Sequence, residues 1–181
     1  MSTRQGSIKL FSVKGIEINV HFTFLLILIW AAYHWGVQAD QGMTGALFGV
    51  VVTILLFACV TLHELAHSLI AMRYGVTVRE ITLLPIGGLA QMEEIPAKPA
   101  QELKMSLAGP LTNIAIAILL ILICLPLGLR STMGVEELFQ VLGTVSWHGL
   151  VAYLVSANLT LGLFNLVPAF PWMAGGCCAG D

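Results

Sequence analysis

Charged side chains are scarce in this sequence. Lysine and arginine contribute 8 residues and aspartate and glutamate 10, which is 10% of the 181 positions, whereas a soluble domain carries about 25%. Hydrophobic residues make up 57% of the chain, and one water-soluble core cannot bury so much apolar surface. The composition therefore predicts an integral membrane protein whose partner is the lipid bilayer. The low number of basic residues excludes a nucleic-acid partner, because binding to nucleic acid requires a concentrated positive surface.

Cysteine is also too rare and too unevenly placed to predict a disulfide framework. Cys59 and Cys124 lie inside apolar runs, where cysteine usually serves as a small buried residue. The other two cysteines, Cys177 and Cys178, belong to the C-terminal tail.

Four apolar runs occupy residues 22–36, 43–72, 105–129 and 138–167. A helix needs about 20 apolar residues to cross the hydrocarbon core of a bilayer, so the last three runs are long enough and the first is short. The sequence contains no internal repeat and no long polar linker. We therefore expect a mainly α-helical membrane protein with about four transmembrane helices, forming a single domain over residues 1–181.

Two stretches outside these runs predict a small membrane-associated β-sheet. Residues 7–20 alternate between apolar and polar around a Lys-Gly pair, and residues 75–99 alternate and then turn at Pro85 and at Gly87–Gly88. The edge of a strand beside a helical site is able to pair with an extended peptide, the recognition mode called β-augmentation. A simple surface hairpin fits the same pattern equally well.

The distribution of basic residues predicts the orientation in the membrane. Seven lie before the first run or between the second and third, on one side of the bilayer: Arg4, Lys9, Lys14, Arg73, Arg79, Lys98 and Lys104. Only Arg130 lies on the other side. Because cytoplasmic loops are enriched in lysine and arginine, we expect both termini and the 73–104 segment on the cytoplasmic side of the cell (plasma) membrane.

Residues 60–69, VTLHELAHSL, place ionisable side chains at the end of an apolar run. Such groups are costly inside a bilayer and usually mark function. On a helix, His63 and His67 share one face and can bind one Zn²⁺, with Glu64 beside them as the general base for a water molecule. The alternative is a pair of buried histidines with purely structural hydrogen bonds, which lipid disfavours because it offers no water to three adjacent polar groups. The motif therefore predicts a zinc site near the cytoplasmic end of the second span.

A hydrolytic zinc site uses three protein ligands and leaves one position open for water, so a third ligand is required. The remaining histidines, His21, His34 and His148, are candidates, although each is more typical of an interfacial or packed residue. His21 is the strongest of the three because it directly precedes an apolar run. Glu93 and Glu94 lie in a polar loop, where solvated surface charge is the better interpretation.

Four motifs, taken together, resemble a known family. They are HELAH at 63–67, IGG at 86–88, AGPLTN at 108–113 and FNLVPAFP at 164–171. Their order and spacing are similar to those of the site-2 protease family of intramembrane zinc metalloproteases, over nearly the whole chain. The resemblance implies cleavage of a peptide bond in or near a transmembrane segment of a membrane-anchored protein. It also implies that His63 and His67 bind zinc, that Glu64 is the catalytic base, and that the Gly-Gly segment lies in a sheet beside the site.

The two later motifs also have a direct physical interpretation. Gly109 and Pro110 permit the third span to begin or bend close to another backbone, and Asn113 offers an amide of the kind found at helix–helix contacts. A packing hydrogen bond and a role near the site fit Asn113 equally well. Prolines at 168 and 171 break the fourth helix, and irregular backbone at membrane depth is buried in protein or lines a cavity. We therefore expect Asn165 and the Pro168–Pro171 break to form walls of the site.

The sequence departs from the family after Pro171. The family continues as Pro-x-Asp-Gly-Gly, and its aspartate is the third zinc ligand, but this chain continues as WMAGGCCAGD. Asp181 stands ten residues past Pro171 and is not a replacement. Tryptophan and methionine each have one codon, so residues 172–174 must be written TGG ATG GCN, which reads Asp-Gly from the third base onward. We therefore expect a truncation or a shifted reading frame after the NLVPAFP motif.

Three functions remain open at this point. The motifs favour an intramembrane zinc metalloendopeptidase, whereas the missing aspartate favours a catalytically inactive relative that binds membrane segments. A proton- or metal-conducting membrane protein is the third, although the sequence lacks the repeated halves and paired broken helices typical of transporters. The sequence carries no information on the oligomeric state.

Overall fold

The computed structural model describes residues 6–92, 98–124 and 142–166. Its helices are α1 (Phe24–Tyr33), α2 (Gly42–Arg73), α3 (Pro99–Cys124) and α4 (Trp147–Leu166), and a π-helical segment, His34–Gln38, continues α1. Its strands are β1 (Ser7–Val13), β2 (Ile16–His21), β3 (Val78–Leu84) and β4 (Gly87–Met92). Several expectations fall on residues or side chains outside this description, namely those for Arg4, Glu93, Glu94, Cys124, Arg130, the Pro168–Pro171 break, Cys177, Cys178 and Asp181.

Among the described residues, three helices are long and apolar enough to cross a membrane: α2, α3 and α4. The α1 helix and its π-helical continuation form a shorter apolar helix over Phe24–Gln38, in agreement with the short first run. The fold is therefore a mainly helical membrane protein with a small sheet, as predicted. Cys59 is buried in α2, also as predicted.

The four strands form one sheet in the order β1-β2-β3-β4. Each sequential pair, β1–β2 and β3–β4, is an antiparallel hairpin, and parallel pairing of β2 with β3 joins the two hairpins. The first hairpin turns at Lys14 and Gly15, whose φ angles of 49° and 89° are the positive values that a two-residue type I′ turn needs. Both predicted β segments are thus confirmed, and they combine into a single sheet.

A β-bulge explains why the apolar pattern of β3 changes phase. Buried apolar side chains stand first at even and then at odd positions: Val76, Val78, Ile81 and Leu83. The pairing register with β4 shifts between Val78 and Glu80. The extra residue at the bulge returns the later side chains to the buried face.

The buried face of the sheet packs against α2. Ile16, Ile18 and Ile81 belong to the same apolar cluster as Phe57 of α2, and Leu65 and Leu69 of α2 pack against that cluster. This contact fixes the sheet beside the C-terminal half of α2, which is the half that carries the His-Glu-x-x-His motif.

On the opposite half of α2, glycine permits a close approach of the first apolar helix. A Cβ atom at Gly49 would lie 2.6 Å from the carbonyl oxygen of Ala31 and 2.7 Å from Cδ1 of Trp35. Trp35 is 9% exposed, and its ring meets the rings of Phe48 and Tyr153 at centroid distances of 4.9 and 6.4 Å. Trp35 therefore connects the first helix with α2 and α4.

The Gly49→Ala substitution is expected to destabilise the protein by about 1–3 kcal/mol, because the new methyl group meets a backbone carbonyl that cannot move aside. This loss should appear even though alanine is the better helix former by about 1 kcal/mol. The measurement is denaturant or thermal unfolding in detergent, followed by circular dichroism. The control is Ala58→Val, which adds bulk at an exposed position of the same helix. Equal unfolding midpoints for Gly49→Ala and the unmodified chain would contradict the close-approach argument.

Candidate metal centre

The His-Glu-x-x-His motif lies in the last third of α2. The one-turn spacing places the rings of His63 and His67 on one face, with centroids 4.7 Å apart and planes inclined by 80°. Their Nε2 atoms are 3.1 Å apart. A tetrahedral zinc ion with Zn–N bonds of about 2.0–2.1 Å separates two nitrogen ligands by about 3.3–3.4 Å. The pair therefore has nearly the geometry that zinc requires of two histidine ligands.

A backbone carbonyl of α3 orients the second ring. Nδ1 of His67 lies 2.7 Å from the carbonyl oxygen of Met105. A carbonyl oxygen only accepts hydrogen bonds, so Nδ1 carries the proton and the free lone pair of the neutral ring is on Nε2. Metal-ligating histidines commonly donate their other N–H to an acceptor of this kind. His67 thus presents the free lone pair of Nε2 toward His63.

Gly109 of α3 lies against both imidazole rings. A Cβ atom at this position would lie 2.6 Å from Cε1 and 2.7 Å from Nε2 of His63, and it would also collide with Nε2 of His67. The close approach predicted for Gly109 is therefore present, but its neighbours are the two rings rather than another backbone. Pro110 lies inside the continuous α3 helix, so the span does not begin there.

Asn113 stands one turn after Gly109 on the same face of α3. It is fully buried, and neither atom of its amide has a hydrogen-bond partner among the described residues. His63 is 3% exposed, and its Nδ1 likewise lacks a partner in the described part of the chain. Asn113 is a neighbour of the His63 ring, although no hydrogen bond joins the two side chains in the described structure.

The carboxylate of Glu64 faces strand β4. A Cβ atom at Gly88 would lie 3.2 Å from Cδ and 3.4 Å from Oε1 of Glu64. The Gly87–Gly88 pair belongs to β4, as the resemblance to the family implied. The turn that the residue pattern predicted there is completed earlier, by Pro85 and Ile86. As the last strand of the sheet order, β4 is an edge strand, and its backbone passes directly beside the carboxylate.

A cavity of about 980 Å³ lies over the motif. Its walls come from α1, α2, the β3–β4 hairpin and α4, and they include His63, Glu64 and Gly88. Asn165 of α4 also lines this cavity, so its predicted place in the wall of the site is confirmed. Its amide nitrogen donates to the carbonyl oxygen of Leu161 over 2.8 Å.

The other candidate ligands do not join the histidine pair. His21 Nδ1 lies 2.7 Å from the hydroxyl of Thr23, and His34 Nδ1 lies 2.6 Å from Oε1 of Gln38, near the N-terminal end of α2. His148 stands at the start of α4. In residues 6–92, 98–124 and 142–166, no group of three histidine, cysteine, aspartate or glutamate residues is arranged to hold a metal ion.

One contact of the centre was not predicted from the sequence. The acceptor for His67 is a main-chain oxygen, so Met105 carries no side-chain pattern that would identify it. The resemblance to the family did imply that the Gly-Gly segment lies in a sheet beside the site, and the position of Gly88 against Glu64 agrees with it. The approach of α3 to the site was indicated by the residue pattern of that helix, in which Gly109 stands four residues before Asn113 in an apolar run.

Comparison with known proteins gives three consistent matches. A sequence model of Peptidase family M50 matches residues 51–176. Zinc metalloprotease MJ0392 of Methanocaldococcus jannaschii is 41% identical over 170 residues, which are 94% of this chain and 43% of that protein. The solved structure of a site-2 protease from Methanocaldococcus jannaschii has a TM-score of 0.63 and 37% identity, over 93% of this chain and 68% of that one. The chain thus spans less than half the length of the curated relative.

The Gly109→Ala substitution is expected to weaken zinc binding at least about tenfold, because the new methyl group occupies the space between the two Nε2 atoms. Zinc affinity is measured on the purified chain by titration against a competing chelator. The matched control is Gly162→Ala in α4, where the new Cβ atom meets nothing nearer than 3.3 Å. Unchanged zinc affinity in Gly109→Ala would show that the space beside the rings is not needed for the metal.

Proposed function

Because the chain belongs to peptidase family M50, the site-2 protease family, we propose that it is an intramembrane zinc metalloendopeptidase. Its target is a peptide bond in or near a transmembrane segment of a membrane-anchored protein. We assign His63 and His67 as zinc ligands and Glu64 as the catalytic base. The observation that carries the proposal is the convergence of two Nε2 atoms, 3.1 Å apart, beside a glutamate in a membrane-spanning helix.

The chemistry assigns one task to each group of the site. Zinc, when bound, polarises the scissile carbonyl and makes a water molecule a better nucleophile. Glu64 accepts the proton that the water loses as it attacks, and it returns a proton to the leaving amine. Because this carboxylate lies beside the backbone of β4, both proton transfers occur next to a peptide that is bound along that strand.

The edge of β4 is the proposed binding position for the substrate. An extended peptide that adds to this edge receives main-chain hydrogen bonds along its length. Gly88 places no side chain between such a peptide and Glu64. Apolar side chains that line the cavity, such as Phe57, Leu161 and Phe164, suit the apolar segment of a membrane-anchored substrate.

The third zinc ligand is proposed to come from the segment after Pro171, where the family has Pro-x-Asp and this sequence has Met173. That segment lies outside the described residues. The absence of an acid at position 173 favours a second candidate function, namely a relative that binds membrane segments in the same cavity without cutting them. The two functions differ in whether this chain holds zinc tightly and hydrolyses a peptide bond.

The paired substitutions Met173→Asp and Ala174→Gly restore the Pro-x-Asp-Gly pattern and are expected to increase zinc affinity by more than about tenfold, because a third ligand completes the site. In this background, Glu64→Gln should keep the zinc and lower peptide cleavage at least about 100-fold, since the ligands remain while the base is lost. The measurements are zinc content after dialysis and cleavage of a fluorogenic single-span reporter in detergent.

The control is His63→Ala in the same background, which should lose both zinc and activity. Cleavage that survives Glu64→Gln would refute the assignment of the base. A paired variant that binds zinc no better than the unmodified chain would refute the proposed position of the third ligand, and it would favour the non-cleaving relative.

The active site is proposed to lie near the cytoplasmic face of the plasma membrane. His63 lies ten residues before the end of α2 at Arg73, a distance of about 15 Å along the helix, and that end carries the basic segment that favours the cytoplasm.

A reporter enzyme fused after Lys98 should therefore be active in the cytoplasm, and a reporter fused after Arg130 should be active outside it. The physical reason is the excess of basic residues on the first side. Each fusion is made with two reporters, one active only in the cytoplasm and one active only outside it. Their activities are measured at both positions, and each reporter serves as the control for the other. The opposite pattern would place the metal centre near the other face.

A further inference from the structure

We propose that Asn113 is a positioning residue of the metal centre: its side-chain carbonyl oxygen accepts a hydrogen bond from Nδ1–H of His63 and holds the Nε2 lone pair of that ring toward the metal. The inference rests on the zinc site proposed above.

The two histidines differ in how their outer nitrogens are satisfied. His67 donates from Nδ1 to the Met105 carbonyl oxygen over 2.7 Å, which fixes the protonation and direction of that ring. His63 must also carry its proton on Nδ1 if Nε2 is to bind a metal. This Nδ1 is buried and has no hydrogen-bond partner among the described residues. A buried N–H group without an acceptor is destabilising, so the metal-binding form of His63 requires an acceptor.

The position of Asn113 on α3 makes it that acceptor. Met105, Gly109 and Asn113 follow one another at four-residue intervals, so they lie along one face of the helix. The first contacts His67, and the second contacts Cε1 and Nε2 of His63. Nδ1 is bonded to Cε1 on the side of the ring away from Nε2. A side chain one turn beyond Gly109 is therefore placed beside the ring of His63, and Asn113 is a neighbour of that ring.

The surroundings confine the Asn113 side chain to this place. The side chain is fully buried, with 0% of its surface exposed to solvent. On the side of α4, the backbone at Gly162 lies next to Asn113, since a Cβ atom built there would be in ordinary contact with Cβ of Asn113, at 3.6 Å. Both amide atoms lack a partner in the described part of the chain. The amide is thus buried and without a partner among the described residues, beside a ring whose Nδ1 also lacks one there.

The direction of the hydrogen bond determines whether the site is able to bind zinc. If the amide NH₂ donated to Nδ1, the ring proton would move to Nε2, which is the atom that must hold the metal. Of the two polar atoms of the amide, the carbonyl oxygen is the one that accepts the Nδ1 proton and leaves the Nε2 lone pair free. An aspartate at this position retains an acceptor and removes the NH₂ donor. It therefore distinguishes a side chain that accepts from Nδ1–H from one that donates to Nδ1.

The experiment compares three variants of the full chain: Asn113→Leu, Asn113→Asp and Asn158→Leu. Asn158 is the matched control because it is a fully buried asparagine of α4 whose amide donates to its own helix, to the carbonyl oxygen of Leu154 over 2.8 Å. Two quantities are measured on each, namely zinc affinity by chelator competition and the tautomer of His63 by ¹⁵N NMR of the metal-free protein in detergent. Thermal unfolding reports on folding.

Asn113→Leu is expected to weaken zinc binding about 10–100-fold, the usual range for losing an outer-shell partner, and to shift His63 toward the Nε2–H tautomer. Asn113→Asp and Asn158→Leu should keep both the affinity and the Nδ1–H tautomer. Unchanged affinity and tautomer in Asn113→Leu would overturn the proposal, as would an equal loss in Asn158→Leu. A loss in Asn113→Asp equal to that in Asn113→Leu would also overturn it.

The same measurements separate this inference from the proposed zinc site. If the unmodified chain binds zinc no better than a His63→Ala variant, the zinc site itself is refuted. The tautomer of His63 in the metal-free chain still decides the role of Asn113 in that case.

Discussion

The candidate metal centre depends on the constraint that a polar group inside a bilayer must find its hydrogen-bond partner within the protein. On α2, two imidazole rings and a carboxylate stand within a helix that is long and apolar enough to cross the membrane. The partners come from α3, whose Met105 carbonyl binds one ring. Gly109 removes the side chain that would otherwise separate the helices. Close packing of α2 with α3 is therefore what supplies the hydrogen-bond acceptor of His67.

The rest of the fold is arranged around α2. Its C-terminal half carries the sheet on an apolar surface that includes Phe57, and its N-terminal half receives the first helix at Gly49. The sheet brings a strand edge to Glu64, and the helices α1 and α4 complete the walls of the cavity. One long helix thus holds both the reactive groups and the elements that enclose them.

Much of this arrangement was predictable because it is local. The apolar runs gave the spans, the Lys14–Gly15 pair gave the hairpin turn, and the one-turn spacing of His63 and His67 gave the shared face. The remainder depends on contacts between distant segments. Parallel pairing of β2 with β3 joins residues about sixty positions apart, as in Glu17 with Glu80. The acceptor for His67 is a backbone carbonyl oxygen, which every residue type has, so the sequence does not identify it.

Gly88 has a consequence for selectivity in the proposed mode of substrate binding. Beside Glu64 the strand offers main-chain groups and no side chain, so recognition there does not depend on which residues flank the cleaved bond. A transmembrane helix has already satisfied its own main-chain groups, and it must open before any part of it pairs with β4. Glycine, proline and other poor helix formers lower the cost of that opening. Under the proposed function, substrates are then selected by how easily their helices unwind near the membrane surface, a property of the substrate's own conformational equilibrium.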